Sequence, residues 1–214
     1  RWRPGLRVRW SHANSSQAID MLACGQVHAA GIHISATSMP DANAQFVKGA
    51  IPGRAISLVH LGVWEEGLAV TAGNPKGIRR VGDVAAQGLK LVNRELGAGA
   101  RRLLDELLEE DGIPGEAVTG YGFVVNSHRE AVSEVAAGNA DAGMTVRSMA
   151  QAFGLDFVPL RSVSYDLAFM EEYLRLDPVR RLLSTLEHRW VRAQLSLLGA
   201  YDISDTGSAR SVGA

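Results

Sequence analysis

The 214 residues include one cysteine, Cys24, which excludes an internal disulfide and any cysteine cluster for a metal. No stretch approaches 18 apolar residues without a charge, so nothing reads as a membrane-spanning helix. No secretory signal stands at the start. Charge of neither sign is in excess. The 22 Lys and Arg against 23 Asp and Glu leave a net charge of −1, which gives no push toward nucleic acid or a membrane surface. Only Arg1, Arg3, Arg7 and Arg9 form a locally basic run, which a solvated segment explains. The six histidines show no metal-like helical spacing, and the Gly-x-Ser-x-Gly elbow of serine hydrolases is missing. Nothing assembles an acid, a base and a nucleophile by spacing. No catalytic residue, metal site or cofactor is therefore expected. The chain starts at Arg rather than Met, which reads as a processed chain or a piece of a longer one. The lack of a disulfide and a signal favours a cytoplasmic setting, with an extracytoplasmic one as the alternative if a signal was removed.

What is present is ordinary globular material: 46% hydrophobic and 21% charged residues, long enough to bury a core without covalent staples. Short β-rich runs alternate with amphipathic helical ones, which predicts an α/β fold with parallel sheets and helices on both faces. Strands are expected at 7–11, 29–34, 56–64, 67–71, 90–93, 121–125, 140–145, 157–160 and 165–169. Helices are expected at 15–23, 81–86, 99–111, 127–137 and 148–153, with one long helix over 178–198 behind its Pro. Cys24, late in an apolar helix, reads as core. The tail 204–214 reads as loose.

A weak internal repeat rises above this pattern. Ala18-Ile19-x-x-Leu22-Ala23-Cys24-Gly25 leads into Gln26-Val27-His28-Ala29-Ala30, and Ala131-Val132-x-x-Val135-Ala136-Ala137-Gly138 leads into Asn139-Ala140-Asp141-Ala142-Gly143. Each is a helix, a glycine stop and a strand of small residues. Two such units over a hundred residues apart suggest two similar lobes, although helix–Gly–strand is common in any α/β protein.

Helix N-termini are the natural anion sites of such a chain, because their free N–H groups and dipole favour negative charge. Three candidates stand out: Asn14-Ser15-Ser16, Gly97-Ala98-Gly99-Ala100 between Arg94 and Arg101, and Asn126-Ser127-His128. The Gly97 segment lacks the Lys-Ser/Thr pair of a P-loop and the dinucleotide glycine spacing. Its structural alternative is a tight turn with Arg101 paired to Asp105 or Glu106. His33 ends an apolar strand where α/β side chains meet a ligand.

In order and spacing, these segments resemble the periplasmic-binding-protein-like (type II) domain related to molybdate-binding proteins. The resemblance rests on Ser16-Gln17-Ala18, Ala29–His33, Gly67–Val70 with Gly73-Asn74-Pro75-Lys76-Gly77-Ile78, Val92-Asn93-Arg94 with Gly97–Arg101, Gly138–Gly143, Gly154–Leu160 with Tyr165-Asp166-Leu167, and Tyr201-Asp202-x-Ser204-x-Thr206-Gly207. Such domains occur behind helix-turn-helix or excisionase-type segments or beside molybdopterin-biosynthesis modules. The resemblance implies two α/β lobes, 1–68 plus 165–214 and 69–164, joined by two crossover strands, with a small anion held between them. By position, Ser15 or Ser16, the amides of Gly97, Ala98, Gly99 and Ala100, the strand end Gly143–Met144 and Tyr165 would hold the oxyanion. His33, Arg94, Arg101 and His128 would line the same place. Ala98 and Ala100 stand where relatives often carry hydroxyls, which leaves the backbone amides as donors. The family's first βα unit is absent before residue 1, so a bare sheet edge and a homodimer are expected. The implied function is a binding domain for a molybdate- or tungstate-like oxyanion that closes on its ligand. It would serve as the sensor of a transcriptional regulator, touching DNA only through a segment outside this chain, or in transport, without membrane insertion. The alternative is an enzyme or module of molybdenum cofactor biosynthesis, for which His33 with Asp141 or Glu66 is the pair to test.

Overall fold

A computed structural model describes residues 6–34, 41–197 and 200–213. The expected features at Arg1, Arg3, Leu198 and Ala214 lie outside the described residues. The chain divides into two compact units. The first takes the described residues of Arg1–Ile34, Met39–Val63 and Ser164–Ala214, and the second takes Trp64–Val163.

The first unit begins with helix α1 (Ser15–Ala23), which buries Ala18, Ile19 and Leu22 at helical spacing. Gly25, with φ +69°, turns the chain out of that helix toward strand β1 (Ala30–Ile32). Helix α2 (Ala42–Ala50) and strand β2 (Ile56–Val70) follow. Strand β6 (Asp156–Met170) returns from the second unit and pairs antiparallel with β1, Ile32 opposite Asp166. Helices α7 (Asp177–Leu186) and α8 (Arg189–Leu197) come next. Strands β7 (Tyr201–Asp202) and β8 (Ala209–Val212) then add to β2. The core gathers Ile19, Leu22, Ile32, Val47, Ile56, Leu58 and Met170.

The second unit holds α3 (Val81–Ala86), β3 (Leu91–Arg94), α4 (Gly99–Glu110), β4 (Val124–Val125), α5 (His128–Ala136), β5 (Ala142–Val146) and α6 (Arg147–Ala152). Its strand order is β2-β5-β3-β4. Strand β3 pairs in parallel with β4 and β5, and β5 pairs antiparallel with β2, Glu66 opposite Val146. Leu68, Leu91, Leu103, Leu104 and Met144 fill the space between sheet and α4. On the other face α5 packs so closely that a Cβ on Gly143 would lie 2.8 Å from Val92 Cγ1 and 3.2 Å from the Ala131 carbonyl oxygen.

Several expectations are corrected. The sheet is mixed rather than parallel, because the long strands β2 and β6 pair antiparallel with β5, β8 and β1. The strand expected at 7–11 is an unpaired exposed segment among the described residues. The strand pairs expected at 56–64 with 67–71, and at 157–160 with 165–169, are two continuous 15-residue strands. The long helix over 178–198 breaks at Glu187–His188 into α7 and α8. The tail is not loose: Val212 pairs with Ile56, and Thr206 Oγ1 donates to the Leu61 carbonyl at 2.7 Å. Cys24 is exposed at the C-cap of α1 rather than core, since the helix ends one residue before it. Helix α2 went unread because only Asn43 and Val47 of its nine residues are buried. No helix of the described residues is long and apolar enough to cross a membrane.

Candidate functional site

Strands β3, β4 and β5 run the same way, so α4, α5 and α6 all start from one edge of the second unit's sheet. Carboxyl ends of parallel strands are where α/β folds bind ligands. Strand β2, running against β5, brings Glu66 to the same edge. Glu66 has no exposed surface, and one of its carboxylate oxygens lies within 4.8 Å of a ring nitrogen of His128. Thr145 Oγ1 donates to the His128 carbonyl at 3.5 Å.

Of the three helix starts on this edge, only that of α5 has a side-chain cap. Helix α5 is capped by Ser127, whose Oγ accepts from the Glu130 N–H at 3.1 Å. Helix α4 has Ala98 as its N-cap and no side-chain cap at all. Ala98 is 3% exposed, and Gly99 and Ala100 are also buried. A buried helix start without a side-chain acceptor leaves first-turn N–H groups for something else to satisfy. Gly97, with φ +90°, makes the turn that leads into it.

The arginines beside this turn are already engaged. Arg94, 5% exposed, bonds bidentately to Glu95 at 2.9 and 3.1 Å, and its Nη2 donates to the Asn126 carbonyl at 3.4 Å. It thereby ties the β3–α4 turn to the β4–α5 turn. Arg101 Nε donates to Asp105 at 2.9 Å, and its guanidinium lies 4.2 Å from the centre of the Tyr121 ring. Burial and a hydrogen bond to Asp105 push the Tyr121 hydroxyl up. Ala100 and Met144 face the hydrophobic core, so their side chains are packing groups.

In the first unit, α1 is capped by Asn14, which accepts from the Gln17 N–H at 3.0 Å, and Gln17 Oε1 accepts from the Asn14 N–H in return. Ser15, 2% exposed, is spent on the His33 backbone: its Oγ lies 3.2 Å from the carbonyl and 3.3 Å from the N–H. Ser16 stands in the first turn of α1 and is half-buried. The His33 ring stacks on Tyr165 with centroids 5.9 Å apart and planes at 25°. Burial pushes the Tyr165 hydroxyl above its usual value, and Tyr201 adds to the shift. A Cβ on Gly31 would fall 1.9 Å from Tyr165 Oη, so the strand carries glycine where the ring lies on it.

The structure thus groups Ser15, His33 and Tyr165 in one unit, and Arg94, Gly97–Arg101, His128, Gly143 and Met144 in the other. Sequence reasoning missed Asn43, Asp166 and Arg210: the buried Asp166 accepts from Asn43 Nδ2 at 2.8 Å and from Arg210 Nη2 at 2.7 Å, and it faces His60 Nδ1 at 3.0 Å. Their separation along the chain gave no local signal.

Against known proteins, residues 1–187 match the PBP superfamily domain model, and the chain belongs to that family. It is 34% identical to the uncharacterized protein YvgK of Bacillus subtilis (strain 168) over 190 residues, covering 88% of this chain and 60% of YvgK. It is 32% identical over 106 residues to a Clostridium pasteurianum protein encoded in the 5′ region of a 2Fe-2S ferredoxin gene, covering 49% of this chain and 94% of that protein. Among solved structures, a Clostridium perfringens protein assigned as a phosphate ABC-transporter substrate-binding protein, with bound phosphate, superposes with TM-score 0.67 at 12% identity, covering 89% of this chain and 85% of that one. The ancestral amino-acid-binding protein AncCDT-1 superposes with TM-score 0.60 at 17% identity, covering 90% and 77%. The fold is the two-lobed α/β fold of periplasmic binding proteins.

Proposed function

We propose that this chain is a binding domain for a small oxyanion of the molybdate or tungstate kind, and that it catalyses no reaction. The observation that carries this reading is the start of α4: a buried helix N-terminus at a strand end, with alanine where α1 and α5 carry a capping side chain. Backbone N–H groups and a helix dipole hold a fully ionised oxyanion without a proton exchange or a positive side chain. The engaged state of Arg94 and Arg101 fits uncharged recognition, because both guanidiniums are neutralised by Glu95 and Asp105. The C. perfringens neighbour holds phosphate, an anion of the same tetrahedral class.

On this reading ligation favours whichever conformation of the domain binds the anion better, by the difference in affinity. The domain then serves as the cytoplasmic sensor of a transcriptional regulator, and any DNA contact belongs to a segment outside this chain. YvgK's additional length leaves room for such a segment. No cofactor beyond the anion is proposed. The juxtaposed Glu66 and His128 favour one second reading, an anion-processing enzyme of molybdenum cofactor biosynthesis. Turnover that disappears in His128→Ala while anion binding persists would select it.

Isothermal titration with molybdate, tungstate, sulfate and phosphate tests the proposal. Molybdate or tungstate is expected to bind, and Ala98→Asp, which places a competing carboxylate at the helix start, is expected to abolish binding while circular dichroism stays unchanged. Binding of phosphate or sulfate alone would retain the oxyanion class and remove the molybdate assignment. Absence of binding by all four anions would refute the proposal.

A further inference from the structure

The second unit holds a cleft that the anion reading does not use. It lies along the last turns of α4 and the chain that leaves that helix at Gly112, whose φ is +67°. The cleft is open to solvent and has a volume of about 430 Å³, at the small end for ligand sites. Leu108, Ile113, Pro114 and Tyr121 give it apolar walls, and Asp105 and Glu109 stand beside them as carboxylates. Among the described residues no basic one lines it.

The aromatic wall is held in place by its own contacts. The Tyr121 hydroxyl donates to Asp105 Oδ1 at 2.8 Å, and Arg101 Nε donates to Asp105 Oδ2 at 2.9 Å. The Arg101 guanidinium lies 4.2 Å from the centre of the Tyr121 ring. A Cβ on Gly115 would fall 2.7 Å from Tyr121 Cε1, so that position carries glycine where the ring meets the backbone. The charge of Asp105 is therefore already met by Arg101.

Glu109 differs. Acidic side chains are unfavourable at a helix C-terminus, where the dipole is negative. Helix α4 nevertheless closes on Glu109, Glu110 and Asp111, with no basic residue in its last turn. Arg161 reaches Glu106 at 2.8 Å and Glu110 at 3.5 Å, and Arg80 reaches Asp111 at 3.2 Å. Glu109 is exposed and pairs with no cation among the described residues. An uncompensated carboxylate beside apolar walls suits a long side chain with a positive head, its methylenes on the walls and its head at Glu109. A guanidinium fits this best, because it is weakly hydrated and pairs with a carboxylate through two parallel N–H donors.

We propose that this cleft is a docking site for an arginine side chain of a partner polypeptide. Charge complementarity selects the arginine. The open shape selects the polypeptide: an exposed ion pair contributes little by itself, and an open cleft covers too little of a free small cation to retain it. The arginine is carried on a chain that adds contacts around the cleft. The site lies at the opposite end of α4 from the proposed anion site and does not depend on it.

NMR titration of the labelled chain with the peptide acetyl-Ala-Ala-Arg-Ala-Ala-amide tests the proposal, at low ionic strength where exposed charges are least screened. The backbone amides of Gly112, Ile113, Gly115 and Tyr121 are expected to shift saturably. Norleucine in place of the peptide's arginine keeps the stem, removes the charge and is expected to weaken binding about fivefold. Glu109→Gln is expected to weaken binding of the arginine peptide as much, and it leaves folding intact because it removes an unfavourable charge from a helix end. Butylguanidine, the head and stem without the chain, is expected to bind more weakly than the peptide. Absence of saturable shifts at those four amides would overturn the proposal, as would equal affinity for the norleucine peptide or in Glu109→Gln. Butylguanidine binding as tightly as the peptide would overturn the polypeptide partner in favour of a free small cation.

Discussion

Asp166 is wholly buried and still charged. Burial alone pushes its carboxyl up, but hydrogen bonds from Arg210, Asn43 and His60 outweigh this and hold it below the usual carboxylate value. The sign of the linkage follows. A carboxyl with a lowered pKa in the folded state contributes stability above the unfolded value, near 3.8, and loses it as pH falls through the lower folded value. Urea unfolding at a series of pH values is therefore expected to show stability falling toward acid in the wild type and a flatter acid limb in Asp166→Asn. Gly143 gives a second residue-scale test. Its place at a strand end marks it as a ligand contact by the sequence, yet an added Cβ there would meet Val92, Val135 and Ala131 at 2.8–3.2 Å. Gly143→Ala is expected to cost about 1–3 kcal/mol of stability through overpacking, with anion affinity unchanged, as thermal unfolding and titration would show. Small residues at a strand end serve ligand approach and helix packing alike, and composition does not tell the two apart. The Asp166 cluster was illegible for a different reason: its members lie at 41, 43, 60, 166 and 210, and only the folded chain brings them together.

At the scale of elements, helix starts were well read and strand lengths were not. The helix expected at 15–23 matches α1 residue for residue, and those at 99–111 and 127–137 differ from α4 and α5 by a residue at one or both ends. Caps and glycine stops are local chemistry and therefore visible in sequence. Strands β2 and β6 were each split in two because polar interruptions, Glu65-Glu66 and Arg161–Ser164, look like turns. In the structure those stretches stay extended as the strands pass from one unit to the other. The capping contrast between α4 and α5 makes its own prediction. Ser127→Ala removes the acceptor for the Glu130 N–H and is expected to cost about 1 kcal/mol, read as a lower unfolding midpoint. At α4 there is no side-chain cap to lose and glycine is the better N-cap residue, so Ala98→Gly is expected not to lower the midpoint.

For the molecule as a whole, the two-unit α/β architecture was legible, and the direction of its strands was not. Strand–helix alternation suggested a parallel sheet, whereas among the described pairings only β3–β4 and β3–β5 are parallel, and β2 and β6 bring antiparallel ones. The internal repeat is real at the level of structure: α1–Gly25–β1 and α5–Gly138–β5 each turn on a glycine of positive φ, one in each unit. A ligand that binds only the folded chain adds stability by mass action. Molybdate at about 100 times its dissociation constant is expected to add roughly 2.7 kcal/mol, measurable by calorimetry as a raised unfolding temperature.

The measurement closest to the central claim is a molybdate titration followed through the backbone amide signals of the labelled chain. The account predicts that the largest shifts fall on Gly99, Ala100 and Arg101 at the start of α4 and that Ala98→Asp removes them. Saturable molybdate binding that leaves those three amides unmoved would contradict it.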